Sequence, residues 1–320
     1  MPSRRTFIAT GLTIPLVFAT RPAFAQSPND GDDFRVTLLG TGTPVPSVKR
    51  FGPSTLIQVG GETFLFDCGR GATQRLWQLG IRFSTVSSLF LTHLHSDHIV
   101  GIPDLWATGW LNQAWGGRRE PMAVYGPVGT HDMMENMRKA FHWDIQARNK
   151  EQNLPLKGIE VAASEFTEGV VVERNGVKVM AFNVDHGHAN DPAFGFRIEY
   201  GGRAVVISGD ANPNDNLVRN AQNADLYIQQ VVMGFNTGPG GARGRRTDPE
   251  EAGILFTQTK PRLAAYSHIA LFGAPGRGVP SEQDLIDATR KTYAGPLVVG
   301  EDLMSFRVGM KDVSYKLHQP

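Results

Sequence analysis

The sequence predicts an α/β fold in which two mixed sheets pack face to face and helices cover their outer sides. Three observations predict it. A strand–Gly-Gly–strand unit at 55–69 (TLIQVGGETFLFDCG) is repeated at 194–210 (FGFRIEYGGRAVVISGD), each closing on an Asp within two residues of a Gly. Helical and strand patterns alternate around these units, as helices packed on sheets require. No linker or low-complexity stretch separates the halves, so one domain runs from about residue 34 to the end.

The elements follow in order. Residues 34–40 (FRVTLLG) read as a strand entering a Gly/Pro loop, GTGTPVPS. Strands 55–59 and 63–67 flank Gly60-Gly61 as a hairpin. A helix is expected from about Ala72 to Leu79, a strand over 88–92, and a helix from about Ile99 to Ala114. Residues 122–126 (MAVYG) read as a strand and 130–143 as one helix. Asn175-Gly176 joins strands 169–174 and 177–184, and Gly201-Gly202 joins 194–200 to 203–210. Helices at 216–224, 249–259 and 281–293 then alternate with strands at 225–232, 262–268 and 297–300.

The chain has 320 residues, is 41% hydrophobic and carries a formal charge of +1. That length supports a large core. The balanced charge offers no basic field to gather nucleic acid, so no nucleic-acid partner is expected. Residues 1–25 have the anatomy of a twin-arginine signal peptide: Arg4 and Arg5, an apolar run from about Ile8 to Thr20 broken by Pro15, and an AFA cleavage pattern at 23–25. The domain of 26–320 is therefore expected in the periplasm or outside the cell, delivered by the twin-arginine export machinery. No cysteine stands directly after the cleavage site and no later stretch resembles a membrane span, so no stable membrane anchor is expected. Cys68 is the single cysteine, which excludes an intrachain disulfide.

The chemistry concentrates in 91–101 (LTHLHSDHIVG). A structural core has no use for so many imidazoles and carboxylates, because burying them unpaired is costly. His93 and His95, two apart on an extended strand end, point the same way. Asp97 and His98 follow as the chain turns into a helix and face a neighbouring point. One loop can thus serve two ions, but each ion needs about four or five ligands. His186, Asp210 and His268 each come after an apolar strand, where a rigid scaffold presents a ligand.

His93-x-His95-x-Asp97-His98, then His186, Asp210 and His268, resembles the metallo-β-lactamase superfamily, with its αββα sandwich, in the branch of ribonuclease Z and arylsulfatase-like hydrolases. The likeness extends over LGTGTP at 39–44, FLFDCGRG at 64–71, FGFRI at 194–198, ISGD at 207–210 and YSHI at 266–269. The resemblance implies that His93, His95 and His186 hold one ion, that Asp97, His98 and His268 hold a second, and that Asp210 bridges them. Nitrogen and oxygen donors suit zinc first, two per chain, with manganese or iron as alternatives. Two ions so placed share a water, lower its pKa and polarise an ester oxygen, with Asp97 orienting the resulting nucleophile as the catalytic residue. Asp67 is a candidate to orient a ligand imidazole or, equally, a turn-capping residue.

The expected function is an exported dinuclear zinc hydrolase of a small ester, with a sulfate ester or phosphodiester favoured. A lactone or amide hydrolase, a ribonuclease Z-like nuclease and a non-catalytic metal-binding homologue are the alternatives. The resemblance also allows a homodimer. Several positions depart from ribonuclease Z. Gln229 and Gln230 stand where its His-Glu pair serves the leaving group, and glutamine is no general acid. Arg246 replaces a further histidine, Arg70 stands in the CGRG turn, IALFG follows His268, and no long basic arm is evident.

Other residues have competing readings. His188 is an alternative ligand to His186, a proton donor or a plain loop histidine. Trp106 and Trp110, one helical turn apart, could wall a pocket, although core packing is the simpler account. Arg243, Arg245 and Arg246 lie in a glycine-rich loop that could clamp an anion or stay solvated. Tyr266 is a weak proton-donor candidate, Cys68 is expected to be unreactive, and His131, His142 and His318 are expected at the surface.

Overall fold

The structure is a computed structural model that describes residues 33–187, 192–234, 247–273, 276 and 278–318. The first sheet is built from β1 (Phe34–Gly40), β2 (Ser54–Val59), β3 (Glu62–Phe66), β4 (Ser88–Phe90), β5 (Met122–Gly126), β6 (Val161–Glu165), β14 (Met304–Val308) and β15 (Val313–Leu317). Their spatial order is β15-β14-β1-β2-β3-β4-β5-β6. The second sheet holds β7 (Gly169–Arg174), β8 (Val177–Val184), β9 (Ala193–Tyr200), β10 (Arg203–Ile207), β11 (Leu226–Met233), β12 (Leu263–Leu271) and β13 (Leu297–Val299). Its order is β13-β12-β11-β10-β9-β8-β7. Both sheets are mixed. The β2–β3 and β9–β10 hairpins are antiparallel, and the next strand of each sheet, β4 or β11, pairs in parallel.

Strand alternation sorts the core into layers. On β1, Phe34, Val36 and Leu38 point between the sheets, where they meet Phe64, Phe66, Phe90, Phe194, Phe196 and Ile228. Leu39 points the other way, into a layer with Leu76 of α1 (Ala72–Gln78) and Leu105 and Trp106 of α3 (Ile102–Trp110). Outside the second sheet, Tyr227 and Tyr266 pack with Leu217 of α6 (Asp215–Ala221), Phe256 of α7 (Pro249–Thr259) and Leu285 of α8 (Glu282–Arg290). The order helix, sheet, sheet, helix is therefore the expected one.

Some boundaries differ from the sequence expectation. The helix expected over 99–114 is a short turn, α2 (Ser96–Ile99), followed by α3. It ends at Leu111, which turns extended, and the backbone N–H of Gly116 then bonds the Gln113 carbonyl. The single helix expected over 130–143 is two, α4 (Thr130–Ala140) and α5 (His142–Gln152), broken at Phe141, whose backbone leaves the helical region at φ −91°, ψ 10°. Strands β6, β14 and β15 were not anticipated. The signal-peptide residues and the cleavage position fall outside the described residues, as do His188, Arg243, Arg245 and Arg246. No helix among the described residues is long and apolar enough to cross a membrane.

Candidate metal centre

All seven expected donors converge at one rim of the two sheets. Past β4 the chain bends at Thr92 and passes His93 to reach His95, whose extended backbone (φ −64°, ψ 146°) starts α2. That turn swings Asp97 and His98 inward, where both are buried. From the second sheet, Asp210 follows Gly209, which sits at φ +61° with Phe194 O 2.5 Å from where a Cβ would lie. Only glycine allows this turn. His268 reaches the site from a bulge. The β11–β12 register shifts between Gln230 and Val231, and His268 takes φ 47° as the unpaired residue. A bulge of this kind re-aims a side chain out of the ladder.

The donor atoms fall into two sets. His95 Nδ1 lies 2.9 Å from His93 Nε2 and 3.1 Å from His186 Nε2, and His186 Nε2 lies 3.7 Å from Asp210 Oδ2. Around the second point, Asp97 Oδ2 is 3.2 Å from His268 Nε2 and 3.7 Å from His98 Nε2. Asp210 Oδ1 is 3.4 Å from His268 Nε2 and 3.6 Å from His98 Nε2. One carboxylate thus turns one oxygen to each set. Two donors on a tetrahedral zinc at ~2.0–2.1 Å lie about 3.3 Å apart, and the observed separations bracket that spacing. Two of these atoms, His98 Nε2 and Asp210 Oδ1, are buried without a hydrogen-bond partner. Such orphans are rare and call for an occupant. These residues therefore fit divalent cations.

A second layer of contacts fixes the rings. Asp67, itself at φ 58°, accepts from His98 Nδ1 at 2.8 Å. It also accepts from the Thr92 backbone N–H at 2.9 Å and the Thr92 hydroxyl at 2.9 Å. The Thr92 Oγ1 in turn lies 2.9 Å from His93 Nδ1. Of the two readings of Asp67, orientation of a ligand imidazole is the one seen. Thr92 was missed, because a threonine closing a strand is unremarkable in a sequence. Backbone bonds from Cys68 N to His98 O (2.7 Å) and from Gly101 N to Cys68 O (2.8 Å) tie the Asp67 turn to α2.

Except at His98, the resolved electrostatics favour the protonation states that ligation needs. Burial, reinforced by His98, His186, His95 and His268, pushes the His93 imidazole well below its usual range. Burial likewise lowers His186, against the pull of Asp210. Burial would raise Asp97 and Asp210, but the surrounding imidazoles outweigh it and hold both carboxylates ionised. Burial disfavours charge on His98 too, yet Asp67, Asp210 and Asp97 together raise it to about 9. His98 must shed a proton before its Nε2 can ligate a cation.

The remaining candidates resolve into structural roles. Trp106 and Trp110 are fully buried, with their indole N–H groups donating to Ile159 O and Pro155 O at 2.9 Å. The Tyr266 hydroxyl bonds Thr289 Oγ1 at 2.8 Å inside the core. Cys68 is buried and its thiol is pushed up by burial, Asp104 and Asp67, which keeps it inert. His131, His142 and His318 are exposed. Gln229 is buried, accepting from the Tyr227 hydroxyl at 2.6 Å and donating to Gln230 O at 3.0 Å and Thr247 Oγ1 at 3.3 Å.

Two mixed sheets carrying this donor set define a metal-dependent hydrolase of the metallo-β-lactamase fold, ribonuclease Z branch. The chain belongs to the family described as anti-Pycsar protein Apyc1, which matches residues 34–239. A ribonuclease Z of Mycolicibacterium gilvum is 42% identical over 197 residues, covering 62% of this chain and 68% of the relative. Among solved structures, YhfI of Bacillus subtilis, a metallo-β-lactamase-fold protein, superposes at a TM-score of 0.67 with 18% identity, covering 86% of this chain and 99% of that one. The short form of human tRNase Z gives 0.66 with 22% identity, covering 86% and 100%.

The ribonuclease Z relatives overturn the expectation that nucleic acid is no partner. That expectation rested on a formal charge of +1. A side-chain sum leaves out bound cations, which are the largest local charges in such a site.

Proposed function

We propose that the protein is a dinuclear zinc phosphodiesterase whose substrate carries a nucleotide phosphodiester, RNA included. The observation that carries this reading is the placement of Asp210, with one carboxylate oxygen toward each donor set. Its likeness to ribonuclease Z supports a phosphodiester over a sulfate ester. Divalent cations held by the two sets would supply Lewis acidity toward the phosphoryl oxygens and an activated water.

The chain's own residues do the rest. Asp97, kept ionised, can accept a hydrogen bond from the attacking water and orient it. Asp67 and Thr92 hold the His98 and His93 rings so that their donor nitrogens face the site. Neither Gln229 nor Gln230 can protonate a leaving group. The Arg4-Arg5 pattern and AFA at 23–25 support export of the mature chain, which cell fractionation would test. The function is tested by assaying the purified protein on RNA, a bis-aryl phosphate, an aryl sulfate and a lactone. Chelator-sensitive cleavage of the phosphodiesters is expected. Turnover of the sulfate or the lactone alone would replace this reading.

A further inference from the structure

We propose that Gln230 positions His268 through a water molecule held in a small cavity between the sheets. This rests on the metal centre but not on the identity of the substrate. Directly behind the donors lies a cavity with about 30 Å³ open to water centres, walled by Asp67, His98, Ser208, Gln230, Ser267 and His268 among others. By that measure roughly 10–15 Å³ admits one water, provided polar partners surround it.

Two wall residues each carry a buried polar atom with no protein partner, Gln230 Oε1 and His268 Nδ1. The two are complementary. His268 Nε2 faces Asp97 and Asp210 at 3.2 and 3.4 Å, so it is the donor nitrogen of the centre. With its lone pair committed there, the ring proton sits on Nδ1, which becomes a hydrogen-bond donor needing an acceptor. On Gln230, Nε2 donates to Ala211 O at 3.1 Å, which fixes the amide and leaves Oε1 as a free acceptor. The β-bulge places both residues on the wall of that cavity. Gln230 pairs with Ser267, Val231 pairs with Ile269, and His268 stands between. A water that accepts from Nδ1–H and donates to Oε1 satisfies both atoms. Gln230 is thus a positioning residue: it acts on the site through His268, although as an amide it cannot supply a proton.

The test compares the wild type with Gln230→Leu and Gln230→Glu in the purified chain, measuring zinc affinity by chelator competition and ring N–H signals by NMR. The wild type should bind two ions. Gln230→Leu should weaken one of them about 10- to 100-fold and leave the other unchanged. Gln230→Glu keeps an oxygen acceptor and should bind within a few-fold of wild type. In the loaded protein the His268 Nδ1–H should exchange slowly in the wild type and Gln230→Glu, and rapidly in Gln230→Leu. Should Gln230→Leu fail to fold, Gln230→Met takes its place. Unchanged affinity for both ions, equal weakening of both, or a wild-type His268 ring proton that exchanges freely would each overturn the proposal. A wild type that binds no zinc would sink the metal centre itself, which is a separate failure.

Discussion

Asp67 and His98, 31 residues apart in the chain, meet at 2.8 Å between Oδ2 and Nδ1, with both side chains buried. The contact joins the end of β3 to the metal loop. It leaves His98 Nε2 as the nitrogen that faces the site. Asp67→Asn should therefore weaken zinc binding and lower kcat/KM by roughly 10- to 100-fold while the fold persists. Chelator competition and steady-state kinetics on one sample would check this. Wild-type affinity in that variant would show that the contact only closes a turn.

The division of labour among the donors is testable by metal counting. His98→Ala should reduce zinc from two ions per chain to one and abolish turnover, because the second donor set loses a ligand while the first is intact. Asp210→Ala should disturb both ions, since its oxygens face both sets. A His98→Ala protein with full activity would contradict the assignment.

Metal uptake should release a proton. Without metal, His98 is held at about 9, above its ordinary 6.5, after Asp67, Asp210 and Asp97 overcome the effect of burial. A raised folded-state pKa contributes stability that is complete below about 6.5 and is lost as pH rises through about 9. The metal-free protein should lose this contribution over that window, and zinc affinity should climb with pH across it. Calorimetry in buffers of different ionisation heat would count the proton. Zinc affinity independent of pH would argue against the electrostatic account.

Stability away from the centre has its own lever. Buried Glu62 on β3 accepts from Arg174 Nε at 2.9 Å and Nη2 at 2.8 Å, and from Asn175 Nδ2 at 2.7 Å, tying the first sheet to the β7–β8 hairpin. Burial would raise Glu62, but Arg174, Ser87 and Asn175 outweigh it and lower its pKa. The tie should hold above about 4.5 and be lost as pH falls through the lowered folded value. Glu62→Ala should cost roughly 1–3 kcal/mol in denaturant unfolding at pH 7 and leave zinc binding unchanged. Equal stabilities at pH 7 would show the tie to be idle.

Much of this was legible in the sequence where one physical pattern dominated. The Gly-Gly and Asn-Gly hairpins announce themselves because positive φ favours glycine and asparagine, and the strands beside them alternate cleanly. The donors stood out because each interrupts or follows an apolar strand; His268, expected at a strand end, sits at a bulge inside β12, which runs on to Leu271. Edge elements carry no such signal. Strand β15 is exposed along most of its length and β6 is only half-buried at best, so neither shows an apolar face. The break at Phe141 lacks any Gly or Pro. Gln230 read as a missing acid because its partner, the bulged His268 ring, is fixed by sheet register that sequence spacing does not reveal.

The most direct measurement is the zinc content of the purified protein alongside its phosphodiesterase activity before and after chelation. Two zinc ions per chain, with activity lost on chelation and restored by added zinc, are expected. A protein free of transition metal whose turnover ignores chelators would contradict the account.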